Sequence, residues 1–186
     1  GGYLGVCAGA AVACAGFTAD ANMPTLPRLA LCGDVTPVRF VPRAIQTELC
    51  ALTLEQPAAA DVGRVEGASV LTRYRNGPGL AYGAAALPGV RRVASFASDL
   101  YSPNESRPSN PRMGGVAAIV ASEGTDARKG RVCCVSPHLE DGEPAAQRLL
   151  VALCLWACRE QPPALSSERE TLRSRRQWLA ERKPLY

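Results

Sequence analysis

The chain has 186 residues, yet it contains one histidine, few aromatic residues and no long apolar run. A single histidine excludes every zinc site that needs two histidine ligands, and any chemistry that uses a histidine pair. No apolar run approaches the roughly 20 residues that cross a bilayer, so we expect no membrane partner. If a histidine takes part in chemistry, it is His138.

Charge of one sign is also scarce over most of the chain. The formal net charge is +4, and +3 of it lies in residues 159–186, so the rest of the chain is nearly neutral. Proteins that bind nucleic acid usually carry a concentrated basic face with aromatic platforms for the bases. Aromatic residues make up only 5% of this chain, so we expect no nucleic-acid partner. Apolar residues make up 47%, which is typical of a folded domain.

The eight cysteines form neither a Cys-x-x-Cys pair nor a regular series. Several stand inside apolar runs such as Val132-Cys133-Cys134-Val135, which is typical of buried small hydrophobic side chains. The chain is long enough to build a core without a disulfide framework. We therefore expect a reducing, cytoplasmic compartment, with no metal and no cofactor. The cysteines are at positions 7, 14, 32, 50, 133, 134, 154 and 158.

The pattern of apolar runs predicts an α/β domain over residues 1–160, followed by a C-terminal linker and surface helix over 161–186. We expect a mainly parallel sheet flanked by helices, with the site at the carboxyl ends of its strands. Because the chain opens inside a strand, we also expect the domain to be N-terminally incomplete. Helices are predicted at 8–15, 145–158 and 167–182, and strands at 3–6, 62–71, 90–96, 116–121 and 132–135, the last two adjacent.

Gly5-Val6-Cys7-Ala8-Gly9 joins the first predicted strand to the first predicted helix. A nucleophile on a sharp strand-to-helix turn needs small neighbours, because the backbone there is strained and closely packed. The positive N-terminal end of the helix would favour the thiolate of Cys7. Gly5 and Ala8, on either side, are predicted to contact substrate. Alternatively, Cys7 is one more buried cysteine and the glycines mark an ordinary turn.

His138 and Glu140 directly follow the apolar strand predicted at 132–135. Residues two apart on an extended segment point to the same side, so the carboxylate can fix the tautomer of the imidazole that takes a thiol proton. The alternative is an exposed loop histidine beside a solvated glutamate. Together with the cysteine turn, the pair predicts a catalytic triad of Cys7, His138 and Glu140.

Tyr74 and Asn76 stand in a turn that continues into Gly77-Pro78. An amide and a phenol on a turn can orient a polar ligand, so we expect Tyr74, Asn76 and Gly77 to bind substrate opposite Cys7. Asn-Gly is equally an ordinary turn signal.

These motifs resemble those of a known family. Gly5-Val6-Cys7-Ala8-Gly9, with Pro137-His138-Leu139-Glu140 far downstream, resembles a class I glutamine amidotransferase domain. Residues 1–10, Tyr74-Arg75-Asn76-Gly77-Pro78 and residues 136–140 narrow the resemblance to the amidotransferase-like domain at the N-terminus of eukaryotic-type biotin–protein ligases. The order and approximate spacing of these motifs agree over residues 1–158.

The resemblance implies a flavodoxin-like three-layer fold and amide hydrolysis through a thioester. Cys7 would be the nucleophile, His138 the base and then the acid, and Glu140 the residue that orients His138. The implied substrate is glutamine or another small amide, and the implied partner is a ligase or synthetase domain or subunit. The alternative is a catalytically silent regulatory or protein-interaction module that retains the triad geometry.

Two departures from the family limit what the resemblance implies. Family members carry an upstream Pro-Gly-Gly turn that helps to form the oxyanion site, and Gly1-Gly2 lies too close to Cys7 to be that turn. We therefore expect the matching segment before residue 1. The sequence also contains neither a Gly-Arg-Gly-Arg-type loop nor a Trp-Pro-Asn-Asp segment, so no biotin transfer is expected from this chain.

Overall fold

The computed structural model describes residues 1–14, 29, 31–32, 35–38, 48–63, 67–75, 77–82, 89–100, 113–123, 130–159, 177 and 180. Its elements in chain order are β1 (Gly2–Val6), α1 (Ala8–Ala13), β2 (Val35–Val38), β3 (Glu48–Leu54), α2 (Ala58–Gly63), β4 (Ser69–Tyr74), β5 (Gly79–Tyr82), β6 (Val90–Phe96), β7 (Ala117–Glu123), β8 (Arg131–Val135), a 3-10 turn (Leu139–Asp141) and α3 (Pro144–Ala157). The linker and helix predicted over 161–186 lie outside the described residues, apart from two positions.

Eight strands form one sheet in the order β1-β8-β7-β6-β3-β4, with β5 attached to β7 and β2 attached to β5. β1 and β8 are parallel, with Val6 opposite Val135. The other described pairs are antiparallel. The α/β class is thus confirmed, but the prediction of a mainly parallel sheet is wrong for the described strands. A parallel pair needs a crossover of a dozen or more residues, and only residues 124–130 separate β7 from β8.

Strand β8 lies between two buried clusters of side chains. Cys133 and Val135 pack into the cluster that contains the buried face of α3, whereas Val132 and Cys134 pack into the cluster that contains Ala10 of α1. Because alternate residues of a strand face opposite sides of a sheet, α1 covers one face here and α3 the other. The predicted flanking helices are therefore present at the β1–β8 edge of the sheet.

The elements nearest the triad residues agree best with the sequence predictions. β1, α1, β8 and α3 form where they were expected, and β7 pairs with β8 as predicted. The prediction of a strand over 62–71 is wrong at residues 62–63, which belong to α2, and at 67–68, because the strand begins only at Ser69. Residues 64–66 lie outside the described residues. β3 was not predicted, although its residues alternate between buried Cys50, Leu52 and Leu54 and exposed Leu49.

Candidate active site

Cys7 lies alone between β1 and α1, in a conformation that side chains rarely adopt. Its φ is 53° and its ψ is −112°, and the only other residue with a side chain and a positive φ in the described part of the chain is Arg159. The Cys7 N–H donates to the carbonyl oxygen of Val135 at 2.8 Å, which ties the turn to the end of β8. A strained residue held by its neighbours in this way is typical of a nucleophile on a strand-to-helix turn.

Gly5 is the residue that lets α1 fold back so closely on β1. A Cβ at Gly5 would lie 2.5 Å from both the carbonyl carbon and the oxygen of Gly9, whereas a Cβ at Gly9 would meet only the Tyr3 hydroxyl, at 3.6 Å. That hydroxyl donates to the Gly9 oxygen at 2.9 Å and fastens the first turn of α1 to β1. Gly5 is buried behind the turn, so its observed role is to make room for α1, and Ala8 is exposed beside Cys7.

His138 and Glu140 meet at the end of β8. Nδ1 of His138 lies 2.6 Å from Oε1 of Glu140, and the two side chains are 18% and 46% exposed. Glu140 belongs to the 3-10 turn rather than to an extended segment, so the contact forms by a different local geometry from the one expected. With Nδ1 engaged by the carboxylate, Nε2 is the ring nitrogen that can accept a proton from a substrate or a thiol.

Strand β4 holds the backbone of His138 in place. The His138 N–H donates to the carbonyl oxygen of Arg73 at 2.7 Å, and the buried Thr72 hydroxyl donates to the His138 carbonyl at 2.7 Å. Further along, the buried Glu143 donates its N–H to the Leu71 oxygen and accepts the Leu71 N–H on Oε1 at 2.8 Å. The segment that carries the triad base is therefore bonded to β4 from His138 to Glu143.

Cys7 and the His138–Glu140 pair both follow the carboxyl ends of neighbouring strands. β1 and β8 are parallel, and Val6 is paired with Val135, so the carboxyl ends of the two strands lie side by side. The Glu140 carboxylate is close enough to act electrostatically on the Cys7 thiol. The hydrogen bond that the thiol itself donates goes to the carbonyl oxygen of Arg75, at 3.3 Å.

The surroundings of Cys7 raise its pKa above the ordinary value of 9.0. Partial burial is the largest cause, and the Glu140 carboxylate adds to it. The Ala8 backbone N–H and the Arg75 guanidinium lower this pKa, against the larger combined effects of burial and the carboxylate. One N–H group and one cation therefore favour the thiolate of Cys7, but burial and the carboxylate raise its pKa by more than these two lower it.

The predicted substrate-binding turn is packed rather than open. Tyr74 is fully buried, edge-on to Phe96 with ring centroids 5.7 Å apart, and its hydroxyl donates to the Gly77 oxygen at 2.6 Å. A Cβ at Gly77 would lie 2.1 Å from the carbonyl oxygen of Ser136, so this turn fits directly against the segment before His138. The observed contacts of Tyr74 and Gly77 therefore shape the site. Asn76 lies outside the described residues.

Arg75 contacts both parts of the site but was not among the site residues predicted from the sequence. It presents its carbonyl to Cys7, and its guanidinium pairs with Asp141 in the turn after His138. The available signal was a pair of opposite charges: Arg75 lies inside the motif of residues 74–78, and Asp141 directly follows the motif of residues 136–140. Neither motif gives the distance between them, so the pairing itself needed the structure.

Within the described residues, no group of three or more histidine, cysteine, aspartate or glutamate side chains is arranged to hold a metal ion. None of the helices in that part of the chain is long and apolar enough to cross a membrane. No protein-family model matches the chain, and no curated protein matches it either.

Proposed function

We propose that this chain is a class I glutamine amidotransferase-like domain of the type found at the N-terminus of biotin–protein ligases, and that it hydrolyses a small amide through a thioester on Cys7. One observation carries the proposal. A cysteine with a positive φ stands on a strand-to-helix turn, and the neighbouring parallel strand leads into a histidine whose Nδ1 lies 2.6 Å from a carboxylate.

The proposed chemistry uses Cys7, His138 and Glu140 in turn. His138 takes the thiol proton of Cys7, the sulfur attacks the amide carbonyl carbon, and the same imidazole returns the proton to the leaving nitrogen as ammonia departs. Water, activated by His138, then hydrolyses the thioester and releases the acid. Glu140 fixes the tautomer of the imidazole and stabilises its cationic form. The Ala8 N–H follows the nucleophile and is the oxyanion donor that this turn supplies.

Glutamine is the substrate we propose, and a ligase or synthetase domain or subunit is the acceptor of its ammonia. None of the eight cysteines, all of which are described, forms a disulfide, and that supports work in a reducing cytoplasm. The proposal includes no ligase activity, because the sequence contains neither a Gly-Arg-Gly-Arg-type loop nor a Trp-Pro-Asn-Asp segment.

A chloroketone analogue of glutamine tests the nucleophile, because its electrophilic carbon alkylates a positioned thiol and releases chloride. We expect it to label Cys7, and we expect Cys7→Ser to lose that label. Cys154→Ser is the matched control, since Cys154 is an exposed free thiol on α3. Labelling of Cys154 at the same rate as Cys7 would contradict the proposal.

A second candidate is a regulatory module that keeps the triad geometry and turns nothing over. The observation in its favour is the thiol of Cys7, which donates to a carbonyl oxygen and has a raised pKa. Ammonia release from glutamine separates the two candidates. Release that exceeds that of Cys7→Ser supports hydrolysis, whereas equal release from both proteins supports the module.

A further inference from the structure

The Cys7 thiol donates its hydrogen bond to a group that cannot take its proton. It donates to the carbonyl oxygen of Arg75 at 3.3 Å. A hydrogen bond donated by the neutral form of an acid favours that form, and a carbonyl oxygen facing a thiolate would repel it. The position of the Arg75 carbonyl therefore favours the thiol over the nucleophilic thiolate.

Tyr74 and Gly77, which precede and follow Arg75 in the chain, are both anchored by buried contacts. The Tyr74 hydroxyl, fully buried beside Phe96, donates to the Gly77 oxygen at 2.6 Å. Gly77 in turn lies so close to Ser136 that a Cβ would contact the Ser136 oxygen at 2.1 Å. Arg75 thus stands between two residues whose positions are set by buried contacts.

The side chain of Arg75 adds a third contact to those of Tyr74 and Gly77, and this contact is more exposed and easier to break. Its guanidinium pairs with Asp141, and the two side chains are 50% and 32% exposed. Ion pairs that are this exposed contribute little to stability, so the pair can break at small cost. Asp141 belongs to the same 3-10 turn as Glu140, which links Arg75 to the segment of the triad base.

We infer that Tyr74 and the Arg75–Asp141 ion pair are positioning residues, which hold the Arg75 carbonyl on the Cys7 thiol and keep the nucleophile protonated until Arg75 moves. The inference uses the site of the proposed function, but it concerns the reactivity of the thiol and not the turnover of an amide.

Tyr74→Phe tests the buried anchor, because it keeps the ring beside Phe96 and removes only the hydroxyl. We expect iodoacetamide to alkylate Cys7 about three- to tenfold faster at neutral pH, with a rate profile displaced to lower pH, since tenfold corresponds to one pKa unit. The rate is read at the Cys7 peptide by mass spectrometry. Ser95→Ala is the matched control, because it removes a hydroxyl that donates to Glu55 at 2.6 Å in the same sheet. It should leave the Cys7 rate unchanged.

Arg75→Ala and Asp141→Ala test the exposed anchor and remain informative if Tyr74→Phe does not fold. Loss of the Asp141 charge alone would lower the pKa of Cys7, and loss of the Arg75 charge alone would raise it. If the ion pair holds the carbonyl, both variants alkylate faster than the parent protein.

A slower Arg75→Ala overturns the inference, because it shows that only charge matters. A folded Tyr74→Phe that reacts no faster than the parent overturns it too. The assay contains no glutamine, so a chain without amidase activity can still give the expected rates, and an active chain can still fail to give them.

Discussion

Replacing Gly5 with alanine tests the turn that places Cys7, and the chain supplies a matched control. The new Cβ would lie 2.5 Å from the carbonyl carbon and oxygen of Gly9, and 2.8 Å from the nitrogen of Ala10. All three are backbone atoms of α1, so no flexible side chain can move aside. In Gly9→Ala the Cβ meets only the Tyr3 hydroxyl at 3.6 Å, which is an ordinary contact.

The distances give the expected size of the effect. To reach an ordinary contact of about 3.4 Å, α1 must withdraw from β1 by about 0.9 Å. Such forced overpacking costs about 1–3 kcal/mol in the free energy of unfolding. Alanine in place of glycine inside a helix gains about 0.5–1 kcal/mol when the space is open, so Gly9→Ala should be slightly stabilising. The two variants should therefore differ by about 2–4 kcal/mol.

Urea denaturation at one pH measures this difference, provided that the two variants unfold with the same m-value. In a thermal scan, each kcal/mol corresponds to about 2–4 °C for a domain of this size, so the Tm values should differ by about 4–16 °C. Because α1 begins directly after Cys7, the Gly5→Ala variant should also lose the labelling of Cys7 by the glutamine analogue. Equal stability of the two variants would refute the close approach of α1 to β1.

Three further predictions concern other contacts. Glu140→Gln should lower the pKa of Cys7 and speed its alkylation by up to about threefold, because the Glu140 carboxylate raises that pKa. The same variant should slow amide hydrolysis, because the carboxylate also orients the proposed base. An unchanged alkylation profile would contradict this. Gly77→Ala should reduce the urea-measured stability by about 1–3 kcal/mol through its clash with Ser136. Burial raises the pKa of Cys133, so unfolding releases its proton above pH 9.0, and stability should fall there by about 1.4 kcal/mol per pH unit. Cys133→Ala should reduce that slope in urea titrations.

The turn around Cys7 could be predicted because its determinants are local. Small residues on both sides of a cysteine, between an apolar run and an alanine-rich run, are enough to indicate a strand, a sharp turn and a helix. The contact between His138 and Glu140 is also local, since only one residue separates them in the chain. Even so, a 3-10 turn brings them together, and not the extended backbone that the pattern suggested.

Strand direction could not be predicted, because it depends on which segments pair and not on the segments themselves. Residues 49–54 alternate between buried and more exposed side chains, but exposed Leu49 is as apolar as buried Leu52, so the sequence itself shows this alternation only weakly. Nothing in that alternation says that β3 runs antiparallel to β4 and β6. The alanine-rich run 58–63 indicates a helix, but its end overlaps the segment 62–71, whose valines favoured a strand.

The destination of the Cys7 proton depends on a third segment that neither triad motif contains. Arg75, whose carbonyl accepts the thiol, is 68 residues from Cys7 in the chain, and Thr72, whose hydroxyl holds His138, is 66 residues from that histidine. The end of β4 and the residue after it therefore contact both Cys7 and His138. A motif records which groups are present, whereas the proposed proton transfer also depends on how Thr72, Arg75 and Gly77 pack between the two motifs. An active amidase and a silent module can share all three triad residues and differ only in where the Arg75 carbonyl lies.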